Sequence, residues 1–396
     1  MMASGSRWPM TAPETISGVC SSARWSALCT WAQATGATVH ARLRDDGCGG
    51  LCLGSGERLR GPEVLVEVPR ALWLEAEVRP DEDAEATLAI KLATERKKEA
   101  ASFWAPYIAS LPAEPSSVLK LSPAELAWLP AEVRAQAEAL RRYAFCLVEE
   151  NPGCDHLLWA LCCVWSRAFK ICVRAGTDVV ALVPVADSFD HGEDGGTESG
   201  CDGEAFCVAT RAAVGAADTG VNICYRRGAT DAGLLLQYGF CPEDNRHAEA
   251  VVEVSGCRVA VHTGEAVAVL PYDVCVQLDE TSDDWDYAAF GEDAPVSPTS
   301  VEVDRWDTVL RALVARGAAG STPEALRALM GAAACASEGL DAVDCEPGEL
   351  GRYALRLRYT TRVFLRLVTE REPWLRAHEE KHQMGVVESM TQTQLE

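Results

Sequence analysis

The chain has 396 residues, 59 of them acidic and 36 basic, for a formal net charge of −23. A field of that sign repels phosphate backbones and draws in cations, so nucleic acid is set aside as a main ligand and a basic protein segment is favoured. With 48% hydrophobic residues there is material for a core, and no apolar run approaches the roughly 18 residues of a membrane span.

A soluble, monomeric, intracellular protein is therefore expected, cytoplasmic or nuclear. A chloroplast location stays open, because the first 25 residues carry Ser, Thr, Arg7 and Arg24 without an apolar signal core. The 17 cysteines are odd in number, scattered, and never spaced as CxxC, which reads as reduced, buried thiols and not a disulfide or zinc framework.

In chain order, residues 1–25 read as a flexible N-terminus and 26–78 as short strands and turns. Gly47, Gly49, Gly50, Gly54 and Gly56 punctuate that stretch ahead of the β-branched run Val64-Leu65-Val66-Glu67-Val68-Pro69. A helical insertion follows over about 81–160. It includes Thr87 to Ala101 and a helix opened by the capping box Ser122-Pro123-Ala124-Glu125. A further helix is predicted from Asp155 to Phe169. Asp187 to Asp202 is turn-rich, and 192–202 is expected as a surface loop. Apolar stretches at Phe206–Thr210, Val221–Tyr225 and Leu234–Leu236 complete a body ending near 245.

Residues 246–300 read as a connecting segment with an acidic loop over 279–300. Helical patterns return at Trp306–Arg316, at Pro323–Met330 capped by Thr322, and at Arg352–Thr369, giving a helical unit over 301–385 and a tail over 386–396. The fold class is α+β.

Generic motif searches narrow the chemistry by failing. There is no Walker A loop, no GxSxG elbow, and no GxGxxG between a strand and a helix. His378-Glu379-Glu380-Lys381-His382 matches HExxH, but a charged tail with no later His or Cys lacks the dry, three-ligand setting of a zinc peptidase, so no metal is expected.

More informative is Ala181-Leu182-Val183-Pro184-Val185-Ala186-Asp187-Ser188-Phe189-Asp190-His191, followed by Tyr225 and then by Gln237-Tyr238-Gly239-Phe240. An apolar strand runs into two carboxylates and an imidazole, and two tyrosines follow. Anions and aromatic faces together suit a cationic ligand.

The order of the surrounding motifs resembles the SET-domain protein methyltransferases, in the branch of the Rubisco large-subunit lysine methyltransferase and the actin-histidine methyltransferase. Gly50-Leu51 through Gly61, with Val64–Pro69 and Leu72, is similar to that family's opening strands. Phe103-Trp104-Ala105-Pro106-Tyr107-Ile108-Ala109-Ser110-Leu111-Pro112 resembles its insertion signature, and Ser166-Arg167-Ala168-Phe169 its SRxF element. Leu182–Asp187 is similar to the strand entering its catalytic loop, and Tyr359–Leu367 to its long C-terminal helix.

The resemblance implies a SET β-fold with a helical insertion over residues 26–245, followed by a mostly α-helical substrate-binding domain. It implies S-adenosyl-L-methionine as cofactor and protein-lysine N-methylation of a non-histone substrate as the activity, with histidine methylation as an alternative. By motif match, Asp46, Cys48, Ser166, Arg167, Asp190 and His191 would bind the cofactor. Phe169, Asp187 and Tyr238 would line the channel for the target side chain, and Tyr225 would be the catalytic tyrosine. Asp190 departs from the family's asparagine, and Asp218 and Thr219 from its Gly-Glu turn, so a catalytically degenerate interaction module is the other reading.

Overall fold

The computed structural model describes residues 22–43, 51–53, 63–174, 177–192, 196–201, 203–211, 221–242, 245, 247, 249–255, 257–262, 267–271, 313–315, 317–338, 350–355, 357–358 and 361. The chain divides into two compact units: residues 1–120, 138–228 and 237–239 form the first, and residues 121–137, 229–236 and 240–396 the second.

The first element is a helix, α1 (Ser22–Ala34), where short strands and turns were expected. Trp25, Leu28 and Ala32 fall on one face and are buried, which supplies the stripe that a helix needs. Its end is a Schellman motif. The Gly36 N–H donates to the Gln33 carbonyl and the Ala37 N–H to the Ala32 carbonyl, while Gly36 takes the left-handed φ of 103° that the motif requires.

Strands β1 (Thr38–Val39), β2 (Ala41–Leu43), β3 (Leu51–Leu53) and β4 (Val64–Pro69) follow, then β5 (Leu74–Glu77). In β4, Leu65, Val66 and Val68 are buried and Glu67 faces solvent. The Trp73 indole N–H donates to the Val68 carbonyl (3.0 Å), tying the strand to the turn that leaves it.

The insertion is helical, as its composition predicts: α2 (Ala84–Lys97), α3 (Ala105–Ser110), α4 (Pro123–Trp128), α5 (Ala131–Glu150) and α6 (Leu157–Arg167). Asp83 caps α2 by accepting the Ala86 N–H (2.9 Å), and Ser122 with Glu125 closes the capping box of α4. Helix α2 packs its Leu88, Ala89 and Leu92 face on α6 and β5.

Strands β6 (Phe169–Arg174), β7 (Thr177–Leu182), β8 (Thr197–Cys201) and β9 (Ala205–Thr210) complete two sheets of the first unit, ordered β1-β4-β9-β8 and β5-β7-β6, with β2-β3 as a separate pair. β8 lies within the expected surface loop. Its Gly/Glu/Ser composition is poor for a strand, but every residue from Thr197 to Cys201 is registered against β9, and only Thr197 is buried.

In the second unit, β10 (Glu249–Val254), β11 (Cys257–His262) and β12 (Val267–Pro271) form an antiparallel meander inside the stretch read as a connector. Helix α7 (Thr322–Glu338) packs on β10. It is longer than Pro323–Met330, and Ser321, not Thr322, accepts the Glu324 N–H. The helical piece 350–355 approaches α4, and beyond it Arg358 Nη1 donates to the Trp128 carbonyl (3.1 Å). The acidic loop over 279–300 and the HExxH segment lie outside the described residues.

Candidate active site

Strand β7 delivers the chain into the site through an unusual turn. Val185 is fully buried, and its φ of 72° and ψ of −49° are costly for a β-branched residue. The short turn after it carries Asp187, whose N–H returns to the Val183 carbonyl at 3.1 Å.

Asp187 has a side chain only 1% exposed and is held from two helices. The Tyr107 hydroxyl on α3 donates to Oδ2 at 2.7 Å. Arg167, at the end of α6, places Nη1 3.7 Å from that oxygen and donates to the Asp187 backbone carbonyl at 2.9 Å. Burial pushes the Asp187 carboxyl above its ordinary range, while Arg167 and the Tyr107 hydroxyl work against that rise. Burial opposes the Arg167 charge, but Asp187 together with Tyr107, Cys163 and Tyr225 more than offsets it, so the guanidinium stays protonated.

Beyond Asp187 the segment zips to a second strand-like stretch. Ile223 N–H donates to the Asp190 carbonyl (2.9 Å) and Gly192 N–H to the Ile223 carbonyl (3.0 Å), making a parallel bridge between His191 and Ile223. A Cβ at Gly192 would lie 2.7 Å from the Asn222 Cβ, so the approach requires glycine. Val221–Tyr225, read as an apolar stretch, therefore pairs by a bridge and not by a full ladder.

That bridge delivers Tyr225. Its hydroxyl donates to the Phe189 carbonyl (2.6 Å), its N–H to His191 Nδ1 (3.3 Å), and its ring lies 5.3 Å from the His191 ring and 5.0 Å from the Tyr238 ring. Burial, followed by the charge of Asp190, raises the Tyr225 phenol well above its ordinary range. It therefore stays protonated at neutral pH and acts as a hydrogen-bonding group.

Tyr225, Tyr238, His191, Asp190, Asp187 and Arg167, chosen from the sequence, thus share a network of ring contacts, hydrogen bonds and charge interactions. Ser166 and Phe169 stand at its edge with other contacts of their own. The Ser166 hydroxyl donates to the Cys162 carbonyl of its own helix (2.8 Å), and the Phe169 ring packs on Phe206 at 4.6 Å between centroids. Asp46 and Cys48 lie outside the described residues. Tyr107 and the Phe189 carbonyl were not singled out as site groups. The signal for Tyr107, a tyrosine after Pro106 inside a short apolar helix, is too ordinary to find it.

Among the described residues, no group of three His, Cys, Asp or Glu side chains forms a metal site, and no helix is long and apolar enough to cross a membrane. An open groove of about 400 Å³ on α2, lined by Trp73, Ile90, Thr94 and Trp104, shares no residue with the site.

No protein-family model and no curated protein sequence matches the chain. Solved structures do. The SET domain of LSMT bound to methyllysine and AdoHcy aligns at 17% identity and a TM-score of 0.62, covering 89% of this chain and 93% of that one. Rubisco LSMT bound to sinefungin and monomethyllysine aligns at 16% identity with a TM-score of 0.61, covering 90% and 92%. The complex of Rubisco LSMT with AdoMet gives 18% and 0.59, covering 88% and 91%. This chain has the SET-domain fold.

Proposed function

We propose that the protein is an S-adenosyl-L-methionine-dependent protein methyltransferase that acts on lysine in a basic segment of a non-histone protein. The observation that carries the reading is the convergence of Tyr225, Tyr238 and His191 rings with the carboxylates of Asp187 and Asp190 on a SET fold. Ring faces and anions together fit a sulfonium, which is a cation without hydrogen-bond donors. When bound, the cofactor supplies an electrophilic methyl group.

In this reading Asp190 accepts from the cofactor's ammonium and the backbone near His191 meets its adenine. Arg167 and Ser166, with Asp46 and Cys48, hold the remainder. Phe169, Asp187 and Tyr238 border the channel for the target side chain. The protein's main contribution is orientation, because a neutral amine must meet the methyl carbon opposite the departing sulfur. A lysine of ordinary pKa near 10.4 loses about 5 kcal/mol in being neutral at pH 7, and an apolar channel beside a positive charge reduces that cost. Tyr225 keeps its own proton, so it positions the amine or the methyl and takes no proton from the substrate.

The test is transfer of labelled methyl from the cofactor to lysine-rich and histidine-rich polypeptides. Labelling of the lysine polypeptide alone, with turnover reduced about 100-fold in Tyr225→Phe, is the expected result. Labelling of histidine would move the specificity. Silence in the natural protein with activity in Asp190→Asn would favour the interaction module.

A further inference from the structure

The Tyr107 phenol plays no part in methyl transfer as described above, yet it touches the site's most enclosed charge. Tyr107 is 0% exposed, and its hydroxyl donates to Asp187 Oδ2 at 2.7 Å. A phenylalanine would fill the same volume without burying a polar group, so the hydroxyl is explained by what it holds. Through Asp187 it reaches two functional groups. Arg167 is bound to both the carboxylate and the carbonyl of Asp187, and two residues on, the Phe189 carbonyl accepts the Tyr225 hydroxyl.

We propose that Tyr107 is a positioning residue for cofactor binding: its phenol fixes the Asp187 carboxylate, and through it the Arg167 guanidinium and the turn that presents Tyr225. The inference rests on the methyltransferase reading. The groups facing Asp187 are Arg167 and Cys163 from α6, Tyr107 from α3, Ser188 from its own turn, and Tyr225 from the bridged segment. Burial pushes the Cys163 thiol up to about 12 and raises the Tyr225 phenol, so both are neutral and Arg167 is the cation of the group.

Asp187 must be ionised to hold Arg167. Burial raises its pKa, and the Tyr107 hydroxyl is one of the forces lowering it. Without that hydroxyl the carboxylate takes up its proton at higher pH, so cofactor affinity fails earlier as pH falls.

The experiment is a calorimetric titration of S-adenosyl-homocysteine into the full chain and into Tyr107→Phe from about pH 8 down to about pH 5. Near pH 8 the two affinities should be close. Toward acid the variant should weaken first, reaching a deficit of about tenfold. Parallel pH profiles, whatever the change in melting temperature, would overturn the inference and leave the methyltransferase reading standing. Absence of binding to the natural protein at every pH would overturn both.

If Tyr107→Phe does not fold, 3-fluorotyrosine is incorporated at position 107 and measured in its place. Its more acidic phenol donates more strongly to Asp187, so the inference requires the acid limb to move to lower pH than in the natural protein. An unmoved limb would make the phenol structural only.

Discussion

The decisive residues are those whose chemistry depends on partners far away in sequence. Asp187 is a carboxylate with a side chain 1% exposed, and its charge is supported by Arg167 and by the Tyr107 hydroxyl. Replacing Arg167 by lysine keeps the charge but loses the rigid guanidinium whose Nη1 is aimed at both the carbonyl and the carboxylate of Asp187. Arg167→Lys should cost about 1–2 kcal/mol of stability and weaken cofactor binding about tenfold, measured by denaturant unfolding and calorimetry. An unchanged affinity would remove Arg167 from the cofactor contacts. The site's carboxylates, imidazole and tyrosines were legible because they cluster beside apolar runs that pin them. Tyr107 was not, because it meets Asp187 across 80 positions and nothing local marks the contact. Ser166 was chosen as a cofactor contact by its motif, and in the structure its hydroxyl donates to the Cys162 carbonyl one turn back, the local bond open to any helical serine.

At the scale of elements, local chemistry was readable where it is written in caps and breakers. The Ser122–Glu125 box starts α4 as expected, and Ser122→Ala should lower stability by about 1 kcal/mol in urea unfolding. Gly239 is a harsher case. Its φ is 79°, and a Cβ there would sit 2.6 Å from the Ser116 carbonyl carbon. Gly239→Ala should therefore cost more than about 2 kcal/mol and disturb the adjacent Tyr238, seen as a lower unfolding midpoint together with weaker substrate saturation. Elements defined by tertiary pairing were hidden. β8 has a loop's composition and becomes a strand by pairing with β9, and the meander β10–β12 lies in a stretch that reads as a connector. Helix α1 went unread because its buried stripe is only Trp25, Leu28 and Ala32 among small and polar residues.

For the whole molecule, the order of motifs carried the fold, since identity to the solved SET structures is only 16–18% across about nine-tenths of the chain. Net charge has its own consequence. At −23 the protein should attract a basic polypeptide over a distance set by salt. Its kcat/KM on a lysine-rich substrate should fall steeply as the Debye length shrinks from about 30 Å to about 8 Å. A flat salt profile would mean that charge does not guide the encounter.

Alkaline stability follows from the buried phenols. Tyr107 and Tyr225 keep their protons in the fold to higher pH than in the unfolded chain, burial being the main cause. Above about pH 10 the native state thus binds more protons, and stability falls by up to about 1.4 kcal/mol per pH unit for the fully buried Tyr107 and by less for the half-buried Tyr225. Unfolding curves taken through that range should show a slope that Tyr107→Phe reduces.

Whether these residues form a working cofactor site is decided by calorimetric titration of S-adenosyl-L-methionine into the natural protein, with Asp190→Asn measured in parallel. The natural protein should show saturable one-to-one binding at micromolar concentrations. No heat of binding in either protein would contradict the cofactor assignment and the function built on it.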